Sequence, residues 1–225
     1  MTNGKLILIA TPIGNLDDIS KRAITVLSEV DIVACEDTRR TGQLLAHFNT
    51  KKQLISYYEE NEQRQIPQII SGIKKGKTVG LVTDSGTPSI SDPGFRLVRE
   101  CIAQNIEIDA IPGPAAAIVA LSISGFPTNR FLFEGFLPPK QGKRLTALEK
   151  LKKMREIEKF TIILYESPYR LVKTLSDLKE VFDNVDIVIC RELTKVFQEI
   201  RREKVTQSID HFSKTTPKGE FTLVF

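Results

Sequence analysis

Short apolar runs alternate along this chain with segments whose apolar residues recur every three to four positions. Residues 5–10 read as a buried strand that runs straight into a turn-rich loop, Thr11-Pro12-Ile13-Gly14-Asn15-Leu16. Asp17 or Asp18 can cap a following helix in which Ile19, Ala23, Val26 and Leu27 share one face, and residues 31–35 form the next strand. The rhythm continues with a helix near residues 41–47, a strand at 53–56, a helix at 60–74, a strand at 78–82, a helix at 95–104 and a strand at 106–111. Strands and helices in this order predict an α/β fold on a mainly parallel sheet covered on both faces.

The pattern changes past residue 117. Residues 118–124 are helical, but residues 130–136 alternate like an antiparallel strand, with Phe131, Phe133 and Phe136 available for packing. This change places a domain boundary between residues 1–114 and residues 115–225. The second half offers a strongly basic helix, a strand at 161–165, a helix at 169–182, a strand at 186–190 and shorter elements ending in the apolar run 221–225.

Ligands of open α/β sheets bind beyond the carboxyl ends of the strands. Four loops fall at such ends, at residues 11–16, 83–94, 112–116 and 166–170. Their Gly, Pro, Ser, Thr and Ala content lets backbone amides and carbonyls approach a ligand closely, which suits a polar, zwitterionic cofactor. The same residues also make ordinary turns. Phosphate cofactors fit poorly, because the chain has no GxxxxGK[ST] segment and the Gly14 loop lacks GxGxxG spacing.

Composition narrows the class further. With 41% apolar and 27% charged residues and no apolar run long enough to span a bilayer, a protein without membrane segments is expected. Residues 6–10 are too short for the core of an export signal. Cys35, Cys101 and Cys190 are far apart with apolar neighbours, which predicts free thiols and a cytoplasmic protein. His47 and His211 lack metal-ligand spacing, so surface helix positions are expected of both and no metal site is predicted. The net charge of +4 is unevenly placed, since residues 140–155 hold seven basic side chains against one acidic, Glu149. A solvated helix face and a phosphate-binding face both account for that cluster.

In order, the segments ATPIGNLDDI, ACEDTR, TDSGTPSISDPG, IPGPAA and YESPYR resemble the tetrapyrrole-methylase superfamily, and the resemblance spans essentially the whole chain. It implies two α/β domains of the class III methyltransferase type with S-adenosylmethionine in the cleft between them. Within the superfamily, EDTR and DSGTPSISDPG resemble the group that methylates the 2′-hydroxyl of a cytidine in small-subunit (16S) ribosomal RNA. That implies rRNA in a partly assembled small-subunit particle as substrate, and a homodimer. It also implies a short helical segment after the last strand, past Phe225.

The resemblance also implies roles for individual residues. Pro12 lies in the first cofactor loop, and Gly86-Thr87-Pro88 stands where tetrapyrrole-methylating relatives have Gly-Asp-Pro, with Ile90 just beyond. Ala115 and Ala116 occupy a pair that is often serine elsewhere, so a hydroxyl contact made by relatives is expected to be missing. Tyr165 and Glu166 would flank the adenosine. A ribose hydroxyl is a weak nucleophile at neutral pH, so a carboxylate base is expected among Asp84, Glu36 and Asp37. Asp84, nearest the cofactor loop, comes first, although a helix cap or a partner for Arg39 would explain any of the three. Arg39, Arg40, Lys140, Lys143 and Arg144 read as phosphate contacts, with Tyr169 and Arg170 stacking on or clamping a splayed nucleotide. The competing readings are methylation of a tetrapyrrole carbon, methylation of a translation factor's modified histidine as by diphthine synthase, and non-catalytic RNA binding on the same scaffold. Thr87 and the EDTR segment weigh against the first two.

Overall fold

The computed structural model of the protein describes residues 4–225. The chain divides into two compact units, Met1–Ala115 and Ala116–Phe225.

In the first unit, β1 (Lys5–Ile9), β2 (Ile32–Cys35), β3 (Gln53–Ser56), β4 (Val79–Leu81) and β5 (Glu107–Ile111) form one parallel sheet in the order β3-β2-β4-β1-β5. Unbroken apolar runs such as KLILI and IVAC suit strands buried on both faces. Since successive side chains point to opposite faces, these strands feed two separate layers. Leu6, Ile32, Ala34, Val79 and Leu81 pack with Ile69, Ile70 and Ile73 of α3 (Glu62–Lys74) and Leu97 and Cys101 of α4 (Phe95–Ala103). Ile7, Ile9, Val33 and Cys35 pack with Ala23 and Leu27 of α1 (Lys21–Glu29) and Leu45 of α2 (Thr38–His47).

The layering positions the site. Connections leaving β1 and β2 cross one face of the sheet, and those leaving β3 and β4 cross the other. The neighbours β2 and β4 therefore send their chains to opposite sides, which opens a notch at their carboxyl ends. Neither Asp17 nor Asp18 caps α1: both lie in a short 3-10 turn whose cap is Asn15, and Ser20 caps the helix by accepting from the Ala23 N–H at 3.0 Å. Buried Ile19 separates the two elements, so the helix starts later than its apolar pattern suggests.

The second unit holds a mixed sheet of β6 (Phe131–Phe136), β7 (Thr161–Glu166), β8 (Asp186–Arg191), β9 (Glu199–Lys204) and β10 (Phe221–Val224), in the order β6-β7-β10-β8-β9. Its main core joins one face of this sheet to α6 (Gln141–Ile157), α7 (Leu171–Phe182) and α8 (Val205–Lys214), while α5 (Ala116–Ser124) packs against β7 and β10. Contrary to the sequence expectation, β6 runs parallel to β7, because the helical crossover α6 rather than a hairpin joins them. Antiparallel pairing joins β10 to β7 and β8, and β8 to β9.

The basic helix α6 is not one uniform charged face. Arg144 is 2% exposed, its Nε donates to Asp177 at 2.6 Å and another guanidinium nitrogen donates to the Pro139 carbonyl, so it is removed from the predicted phosphate contacts. Lys152 donates to the Val181 carbonyl, and Arg155 lies over the Phe182 and Phe225 rings. Lys140, Lys143, Lys150 and Lys153 face solvent. No helix among the described residues is long and apolar enough to cross a membrane.

Candidate active site

The loops after β1, β4 and β5 are laced together at the carboxyl edge of the first sheet. Thr11 and Gly86 exchange backbone hydrogen bonds at 2.8 and 3.2 Å, and the Thr11 hydroxyl donates to the Thr83 carbonyl at 3.1 Å. The Thr87 hydroxyl donates to the Pro114 carbonyl at 3.0 Å. Gly86 has φ +89°, a conformation that favours glycine, although a Cβ there would meet the Ile13 methyl and the Pro114 oxygen only at ordinary contact distances of 3.4 and 3.5 Å. At Gly113 a Cβ would come within 2.8 Å of the Ala10 Cβ. Pro12 is buried in this bundle of loops and Ile90 stays 45% exposed. The Ser89 Oγ is buried, with no hydrogen-bond partner among the described residues.

In the notch between β2 and β4 lies a cleft of about 550 Å³ lined by Glu36, Arg39, Tyr58, Glu59, Glu60 and Asp84, among others. All three predicted carboxylates line it, and their surroundings differ sharply. Asp37 caps α2: its carboxylate accepts from the Arg39 backbone N–H at 2.8 Å and from the Arg39 guanidinium at 2.7 and 3.1 Å. Those bonds hold its carboxyl well below the usual carboxylate range. Asp84 accepts from the Asp37 backbone N–H at 3.0 Å and pairs with Arg40 at 3.3 Å. Glu36 is half-buried and meets the Thr83 hydroxyl at 3.4 Å. Burial, reinforced by the charge of Asp84, pushes its carboxyl above the ordinary glutamate value.

Other residues named from the sequence lie elsewhere. In the second unit, the Tyr165 ring meets Phe133 and Phe136 edge-on, and its hydroxyl accepts from the Ala117 N–H at 3.1 Å. Glu166 is 2% exposed and saturated by the Ser167 N–H, the Thr174 hydroxyl and Arg170, so its side chain serves the packing of β7 on α7. Arg170 also donates to the Leu137 carbonyl, whereas Tyr169 is 91% exposed. Ala115 and Ala116 are half-buried. The sequence reading missed the cleft residues that follow β3, Tyr58, Glu59 and Glu60. No motif marks them, but the carboxyl-end rule applied to β3 would have found them.

A two-unit α/β protein with glycine-locked loops and a carboxylate cleft at the edge of its parallel sheet has the build of a methylase, and the chain belongs to the Tetrapyrrole (Corrin/Porphyrin) Methylases family, which it matches over residues 5–208. Within that family it is similar to the ribosomal RNA small subunit methyltransferase I of Thermotoga maritima, 48% identical over 98% of this chain and 97% of that protein. The corresponding proteins of Halalkalibacterium halodurans (45% identical; 98% of this chain, 75% of that protein) and Escherichia coli O157:H7 (41%; 99% and 78%) are also similar. Among solved structures, diphthine synthase aligns with a TM-score of 0.74 at 13% identity, covering 98% of this chain and 90% of that one. A cobalt precorrin-4 methyltransferase aligns at 0.69 and 19%, covering 98% and 94%. These structural likenesses speak for a shared fold.

Proposed function

We propose that this chain transfers a methyl group from S-adenosylmethionine to the 2′-hydroxyl of a cytidine in small-subunit ribosomal RNA. The near full-length similarity to ribosomal RNA small subunit methyltransferases I supports the substrate class. The observation that carries the chemistry is Glu36, a half-buried carboxylate with a raised proton affinity in the cleft between β2 and β4.

The loops around Pro12, Gly86, Thr87 and Ile90 suit the cofactor. They are small, held by their own hydrogen bonds, and include a buried hydroxyl, Ser89, that lacks a partner among the described residues. The resemblance assigns a cofactor role to Ala115, Ala116, Tyr165 and Glu166 as well; with its carboxylate saturated, Glu166 has only its backbone to offer for it. When bound, S-adenosylmethionine supplies an electrophilic methyl on a positively charged sulfur. Glu36 takes the proton of the ribose hydroxyl as the oxygen attacks, and its raised proton affinity brings it closer to that task at neutral pH than an ordinary carboxylate. Asp37, committed to Arg39 and hard to protonate, orients α2 instead. Asp84 holds the Asp37 backbone and Arg40, and its charge tunes Glu36. Arg40, Lys140 and Lys143 remain exposed for phosphates, and Tyr169 for stacking.

Tritium transfer from labelled cofactor tests the proposal. Label should enter undermethylated small-subunit particles, and digestion should release it as 2′-O-methylcytidine. Label in a porphyrin precursor alone would overturn the reading.

The tuning gives a second test. A base acts only when deprotonated, so kcat falls as pH drops through the raised pKa of Glu36. Asp84→Asn removes the like charge and leaves Arg40 unpaired, and both changes lower that pKa. The acid limb of the kcat–pH profile should move to lower pH, and an unmoved limb would separate Asp84 from the titrating group.

A further inference from the structure

The outer rim of the cleft is a fixed turn between β3 and α3. The Tyr57 N–H donates to the Cys35 carbonyl at 2.8 Å, tying this turn to the end of β2 beside Glu36. Asn61, 6% exposed, locks the turn from inside: its side chain accepts from the Tyr58 N–H at 2.9 Å and donates to the Ser56 carbonyl at 3.0 Å. The turn so held displays Tyr58, Glu59 and Glu60 along the cleft. Tyr58 is 37% exposed although aromatic. Glu59 and Glu60 are exposed carboxylates with no hydrogen bond or ion pair among the described residues, in contrast to Asp37 and Asp84 deeper in the same cleft.

An aromatic ring beside two uncommitted carboxylates has a definite chemical complement. A phosphate is repelled by such a rim. A nucleobase can lie on the tyrosine ring, and every base has a face for stacking. Carboxylates then accept from an exocyclic amine, as they do from cytosine N4. Uracil presents a carbonyl oxygen at that position and would meet a second acceptor.

We propose that the turn Tyr58-Glu59-Glu60 reads the base of the target nucleotide, Tyr58 by stacking and Glu59 and Glu60 by accepting from its exocyclic amine. The turn thereby selects an amine-bearing base over uracil and holds the attached ribose toward Glu36. This inference rests on the RNA-methylating reading above, and deepens it by naming the determinant of base choice.

The test uses the full-length protein and small-subunit particles reconstituted from transcribed rRNA. The nucleotide labelled by the wild type is mapped first, and particles are then built with cytidine or uridine at that position. The wild type should favour the cytidine particle in kcat/KM by about 10- to 100-fold, the scale of one specific base contact. In Glu59→Gln/Glu60→Gln that ratio should shrink to a few-fold, because an amide can donate to the uracil oxygen as well as accept. Tyr58→Ala should lose about 10-fold in kcat/KM, the scale of one stacked base, and Tyr58→Phe should restore it. Cofactor affinity measured by calorimetry should stay unchanged in all three variants. A merely structural turn would not alter the cytidine-to-uridine ratio. The inference is overturned if the wild type shows no preference, if the double variant keeps it, or if Tyr58→Ala retains wild-type kcat/KM. A wild type that puts no label into either particle defeats the RNA reading itself, whereas an active wild type with indifferent variants defeats this inference alone.

Discussion

Glu36→Gln is expected to lower kcat by about 10²- to 10⁴-fold, the range a positioned general base supplies, while leaving the affinity for S-adenosylmethionine within a few-fold of wild type. Glutamine keeps the shape of the side chain and its meeting with the Thr83 hydroxyl, but it cannot hold a proton delivered by a ribose. The split between kcat and cofactor affinity is what gives the experiment its meaning. A collapsed site would lose both, whereas a missing base loses the first alone. Single-turnover methyl transfer into small-subunit particles measures the rate, and calorimetry measures the affinity. A rate within about threefold of wild type would dismiss Glu36 as the base.

Arg144→Ala should destabilise the protein by about 3 kcal/mol or more, the usual cost of breaking a buried ion pair by removing one partner. Both side chains are 3% exposed, and the truncation leaves the Asp177 carboxylate with Gln141 as its remaining side-chain donor among the described residues. It also removes a guanidinium nitrogen from the Pro139 carbonyl. Urea unfolding followed by circular dichroism checks the value, and a loss below about 1 kcal/mol would contradict the burial. Arg144→Met/Asp177→Leu should recover much of the loss, since a well-packed apolar pair of similar volume can replace a buried salt bridge. Lys143→Ala, one residue away but exposed, should leave stability nearly unchanged.

The contrast between these neighbours shows where the sequence was readable. Arg144, Leu148 and Leu151 fall at i, i+4 and i+7, so the inward stripe of α6 was present in the spacing, but the surrounding lysines masked an arginine that belongs to it. The central strands β1 and β2 of the first unit were legible because double burial leaves apolar runs without alternation. The direction of β6 was not, since a period of two is common to parallel and antiparallel strands and only the connection decides. Ser20 escaped as a cap because two aspartates nearby offered the same chemistry, and the placement of Ile19 chose between them. At the site, Glu36, Asp37 and Asp84 stood in motif-rich loops; the lowered proton affinity of Asp37 comes from Arg39 two residues on, whereas the raised one of Glu36 depends on burial and on Asp84, far along the chain. Tyr58, Glu59 and Glu60 lie in an ordinary-looking turn, and only the sheet order brings them to the same cleft.

The strand order of the second unit also bears on how the protein is made. β10 follows β6 to β9 in sequence but lies in the middle of their sheet, between β7 and β8, which do not pair with each other. A nascent chain can assemble every strand of the first sheet once Ile111 has left the ribosomal tunnel, but the second sheet stays in two pieces until Phe221–Val224 emerges. The first sheet and its carboxylate cleft can therefore form early, whereas the second sheet closes only when β10 joins its two pieces.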